Sequence, residues 1–239
     1  MQKNKTEQEK AYLEIKYLYS QLEDDVPQDI RDQIKRNLEK AHKGLYVILP
    51  AYDDLEITLK EHMLSTYPEF KDNSIPHLGE LVSQVCDQLA YSIVNNVNSF
   101  LIDLENNNTP YIENEEQFRD LVTFFATPLE EPEDSKIQSP EEMKIAESTR
   151  AINNDKKEFL NSILKVLFRY FEESLNKLDA KGWQLLGISL GHSFFEYMKH
   201  CYVLMAGLTE SIVTDHPGIS FKDLEKRVSQ DLAVSSEHS

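Results

Sequence analysis

Three residues at helical spacing offer the sharpest chemistry in this 239-residue chain: His192, Glu196 and His200. Positions i, i+4 and i+8 of an α-helix lie roughly in line along one face. Imidazole and carboxylate groups in that arrangement can ligate zinc or iron, as helices do in carboxylate-bridged bundles. A metal site would need at least one more ligand from another helix, and Glu172, His42, His62 and Asp53 are the candidates. The plainer reading is a polar edge on an apolar helix, with Glu196 bonding one histidine and Lys199 in solvent. On that reading the chain carries no cofactor.

A second constellation is Arg36-Asn37-Leu38-Glu39-Lys40-Ala41-His42. It resembles the arginine, polar residue, short gap, histidine motif of HEPN-type ribonucleases, helical proteins that often belong to prokaryotic defence and toxin systems. The resemblance implies an RNA-cleaving enzyme, with Arg36 on the scissile phosphate and His42 in general acid–base catalysis. The same residues also read as an exposed helix face, with Arg36 opposite the stripe that holds Leu38 and His42 beside it. Other catalytic signatures are absent: there is no P-loop, no dinucleotide-binding glycine fingerprint, no zinc-finger pairing and no nucleophile elbow.

Composition narrows the field. The chain has 25 basic and 42 acidic residues, a net charge of −17. Such a balance disfavours nucleic acid, whose binding needs lysine and arginine to displace counterions, and disfavours anionic membrane surfaces. It fits a protein partner of basic character; self-association is the alternative if some apolar stripes exceed what one core can bury. Cys86 and Cys201 are the two cysteines, both inside apolar helical patterns, and read as buried reduced thiols. The polar stretch Met1–Lys10 has no apolar core of the kind a secretory signal needs, so a cytoplasmic location is expected.

The elements that must position these residues are helices. Residues 182–213 form the most apolar stretch. On a 3.6-residue period Trp183, Leu186, Leu190, Phe194, Tyr197, Cys201, Leu204, Leu208 and Ile212 share one side. Ile188, Phe195, Met198, Tyr202 and Met205 widen the arc, as expected of a helix touched by neighbours on several sides. Gly187 and Gly191, one turn apart, would let another helix approach closely. His192, Glu196, Lys199 and His200 in the middle make a membrane span too costly.

Earlier helices are expected over residues 7–23, then from Pro27 to Ser65 with a kink or break at Pro50, and from about Leu78 to Leu104. A short one follows over residues 114–126. Residues 127–139, with Pro128, Pro132 and a run of Glu and Asp, read as a solvated acidic loop or a docking segment for a basic partner. Ser139-Pro140-Glu141-Glu142 forms a capping box. It opens a helix that reaches toward Leu178 and meets a possible interruption at Asn153-Asn154-Asp155. A last helix opens at Ser220.

The expected fold is therefore all-α, an irregular bundle of six to eight helices around the central helix at 182–213. It reads as a single domain with an acidic loop at 127–139, or as two helical subdomains at 1–126 and 140–234. The expected function is non-catalytic: an adaptor, inhibitor or regulatory subunit acting through protein–protein contacts. The ribonuclease and metalloprotein readings stand as alternatives.

Overall fold

A computed structural model of the chain describes residues 2–21, 26–103, 126, 129–131, 133 and 139–237. Among them there is no strand, and the fold is all-α. Seven helices follow in order: α1 (Gln2–Ser20), α2 (Gln28–Lys43), α3 (Leu49–Thr66), α4 (Leu78–Asp103), α5 (Pro140–Leu175), α6 (Ala180–Thr209) and α7 (Phe221–Glu237). A π-helical stretch (Gly44–Ile48), a 3-10 turn (Pro68–Lys71) and a single helical turn (Ile212–Asp215) complete the set. The helix expected at 114–126 lies outside the described residues except for Ala126. Internal contacts group the chain into two compact units, Met1–Asp53 and Asp54–Ser239. Both flanks of the 127–139 segment belong to the second.

In residues 54–239 the apolar stripes meet one another. The α6 side chains of Trp183, Leu186, Leu190, Phe194, Tyr197, Cys201 and Leu204 are all buried. They are covered by α4, α5, α7 and the turn at 212–215. The α6 rings of Phe194 and Tyr197 lie 5.5 and 4.9 Å from that of Phe159 on α5. Burying each large apolar side chain contributes about 1.5–3 kcal/mol. From α3, Leu55, Leu59 and Met63 enter the same interior.

Local signals set the boundaries. The Ser139 hydroxyl accepts from the Glu142 N–H (3.1 Å), and the Glu142 carboxylate accepts from the Ser139 N–H (2.9 Å), so the capping box is formed. Asp179 caps α6 by accepting from the Gly182 N–H at 2.7 Å, and its charge also suits the positive helix end. The helix expected to reach Val213 stops at Thr209. Ser211 adopts a left-handed conformation (φ 58°), which breaks the helical path before Ile212. The interruption expected at Asn153–Asp155 does not occur, and α5 runs unbroken for 36 residues. Asn153 and Asp155 direct their side chains to tertiary partners, so they do not compete with the helical backbone.

In residues 1–53, α1 packs on α2 and on the π-helical stretch. The stretch answers the proline that follows it. Pro50 has no N–H and its ring crowds the preceding turn. One widened turn, in which the Leu49 N–H bonds to the Gly44 carbonyl, accommodates it within helical structure.

Candidate functional site

The polar stripe of α6 divides between two tasks. His192 and Glu196 are exposed and, with Ser189 and Ser193, line one wall of a groove of ≈ 390 Å³. Its other wall comes from Leu89, Ile93, Asn96 and Phe100 of α4. His200 serves a different surface. Its Nδ1 hydrogen-bonds to the Glu196 backbone carbonyl, and its ring stacks on Phe221 of α7 at 4.9 Å and 21°. Beside it the Lys199 ammonium meets Glu225 of α7 at 2.7 Å, and that bond raises the lysine's pKa. The lower half of the stripe thus holds α7 in place.

Among the described residues no three His, Cys, Asp or Glu side chains are placed to hold a metal ion together. His62, a candidate fourth ligand, lies in another environment. It is buried on α3 with Nε2 3.3 Å from Asp155 Oδ1 of α5, in a geometry that is not a hydrogen bond.

Arg36 and His42 both lie on α2. Six residues at about 100° each set them roughly 120° apart around the helix, so they do not share one face. Arg36 is exposed. The His42 ring lies 4.8 Å from Tyr46 and 5.7 Å from Tyr12 of α1. The Tyr46 hydroxyl donates to Glu9 at 3.0 Å. His42 therefore takes part in the contact that joins α1 to α2.

Sequence reasoning missed a buried polar cluster in residues 54–239. His62, Tyr197 and Cys201 are buried, and Asp155 borders them. The His62 ring centroid is 5.4 Å from that of Tyr197. The Tyr197 hydroxyl is buried without a well-formed hydrogen bond, its polar neighbour being the Cys201 thiol. Burial pushes Cys201 and Cys86 up to about 12, Tyr67 to about 12, and Tyr197 upward as well. A thiol so held is protonated near neutral pH and is a poor nucleophile. The signal available in the sequence was the position of His62 on the apolar stripe of α3, next to Leu59 and Met63.

The acidic segment is tied down where it is described. Asn153 of α5 reads both backbone groups of Leu129: the Leu129 N–H donates to Oδ1, and Nδ2 donates to the Leu129 carbonyl, each at 2.9 Å. Nδ2 also reaches Glu131 at 3.1 Å, and Arg150 lies 3.8 Å from the same carboxylate. The buried Lys156 donates to the Ala126 carbonyl, and burial lowers its pKa. Gly191 of α6 makes room there, because a Cβ at that position would stand 3.2 Å from the same carbonyl. The close approach expected here from another helix is made instead by a turn at Ala126.

What remains is apolar surface. Among the described residues of 1–53 the buried hydrophobic side chains are three, Tyr12, Leu38 and Ala51. On α1, Leu13, Ile15, Tyr17 and Leu18 are 52, 51, 64 and 57 % exposed, and Ile30 and Tyr46 are 44 % exposed. In residues 54–239, α6 exposes Ile188, Phe195 and Tyr202, seven residues apart, with the Lys156 ammonium 5.3 Å from the Phe195 ring centroid. The arc that was to be covered on several sides is open along this line. No helix among the described residues is long and apolar enough to cross a membrane. No family model, curated protein or solved structure matches the chain.

Proposed function

We propose that this chain acts through contacts with another protein chain, as an adaptor, inhibitor or regulatory subunit, and not by catalysis. The observation that carries the reading is the apolar surface of α1. Ile15 and Leu18 continue the arc that begins at the buried Tyr12, while Leu13 and Tyr17 occupy another side of the helix. A helix apolar around so much of its circumference is normally enclosed, and exposed apolar patches of this kind mark interaction sites. Charge supports a division of labour. Residues 54–239 hold 16 basic and 32 acidic residues, which suits a basic partner wherever one touches that unit.

The test is cross-linking in native lysate, comparing the natural chain with an Ile15→Glu/Leu18→Glu variant. The natural chain is expected to give a discrete protein–protein product with cross-links to residues 1–53. The variant should lose that product while keeping its helical content and melting temperature. Identical cross-linking in both would sink the proposal.

A further inference from the structure

Resting on the interaction reading above, we infer that the partner of residues 1–53 is a second copy of this chain, paired through α1 and α2. Three observations converge on it. The first is geometric. The two helices pack on each other and each buries one residue of its apolar stripe, Tyr12 and Leu38, while Ile15, Leu18 and Ile30 stay exposed. A two-fold pairing of such hairpins matches like surface to like surface and gives a four-helix arrangement with a shared apolar interior.

The second is charge. Residues 1–53 hold nine basic and ten acidic residues, so two copies meet there almost without net repulsion. Copies approaching through residues 54–239 would bring two strongly acidic surfaces together, with 32 acidic against 16 basic residues on each. A basic partner would be drawn to that acidic unit and not to the near-neutral one. The nearly neutral surface is the place where the work of bringing copies together is smallest.

The third is size. Helices of 19 and 16 residues are about 28 and 24 Å long at ~1.5 Å per residue. Side by side they offer a face of roughly 20 by 25 Å, about 500 Å² per partner and ~1,000 Å² for the pair, which reaches the lower limit of a specific interface.

The experiment is sedimentation of the full chain over a dilution series, at low and moderate salt, alongside the Ile15→Glu/Leu18→Glu variant. The chain is expected to run as twice its 27.7 kDa mass and to dissociate on dilution. The variant should run as a monomer. Salt should tighten the dimer, because it screens the repulsion between the acidic units and leaves apolar pairing intact.

A Leu18→Cys variant adds an independent readout, since Cys86 and Cys201 are buried and the introduced thiol is the reactive one. Maleimide should label it slowly in the dimer and quickly after dilution. A chain that is monomeric at every concentration with a rapidly labelled thiol overturns self-pairing and leaves the face open to a different protein. A monomer whose introduced thiol stays protected at every dilution overturns both self-pairing and the interaction reading.

Discussion

The stripe of α4 and the stripe of α2 look alike as sequences and end differently. Leu78, Leu81, Val85, Leu89 and Val97 of α4 are buried, within residues 54–239, and Phe100 is half-buried. Of Ile30, Ile34, Leu38, Ala41, Leu45 and Ile48 on α2 and the π-helical stretch, Leu38 alone is buried. Both repeat at helical spacing. Periodicity states which side of a helix seeks cover, and it carries no information on whether the chain supplies that cover. The second unit supplies it with four helices around α6, and the first has α1 to offer α2 and little else. The contrast predicts different responses to perturbation.

The largest effect is expected in the core of the second unit. Phe194→Ala should cost about 3–5 kcal/mol, the usual range for removing a buried phenylalanine, whereas Leu18→Ala should change the stability of the isolated chain by less than about 0.5 kcal/mol. Denaturant unfolding of the two variants measures both. Equal losses would abolish the distinction between the units.

Alkali should act on the second unit next. Its thiols at Cys86 and Cys201, ordinarily at 9.0, and its Tyr67 hydroxyl, ordinarily at 10.0, are all held up to about 12 by burial. The folded state keeps these protons while the unfolded state sheds them. The stabilisation is therefore fully present below about pH 9 and is lost as pH rises toward 12, at about 1.4 kcal/mol per pKa unit for the two buried thiols and less for the half-buried Tyr67, which solvent screens. Unfolding midpoints measured from pH 8 to 11 should fall steadily, and a flat profile would place these groups in contact with water.

Smaller effects sharpen the picture at the edges of the second unit. Asn153→Leu removes both part-buried bonds to the Leu129 backbone and should cost about 1–3 kcal/mol, at about 0.5–1.5 kcal/mol for each bond. Ser139→Ala opens the capping box of α5 and should cost about 1 kcal/mol. Thermal melts of the two variants give the ranking, and a cap worth more than the asparagine would reverse it.

Much of the second unit was legible beforehand. The buried side of α6 follows from residue spacing alone, as do the start of α5 at Ser139 and that of α7 at Ser220, where the Asp223 N–H donates to the serine hydroxyl. These are local statements, settled within one or two helical turns. The features that were not legible depend on partners distant in sequence. Asn153 reads locally as a helix breaker, and its role is visible only beside Leu129. His200 reads locally as a ligand, and it is stacked on Phe221. Arg36 and His42 share a motif in one dimension and different faces in three. The break at Ser211 is a local event of another kind, since a left-handed serine carries no distinctive sequence signal.

The contact between Gly207 of α6 and Leu224 of α7 constrains how this chain can change over generations. A Cβ on residue 207 would stand 2.7 Å from Leu224 Cδ1, and Leu224 is completely buried. The two positions therefore share one allotment of volume. A lineage that acquires alanine at 207 does so most readily after residue 224 has shrunk to valine or alanine, and the reverse order passes through an overpacked intermediate. Related chains should vary at these two positions together, with one growing only as the other gives way.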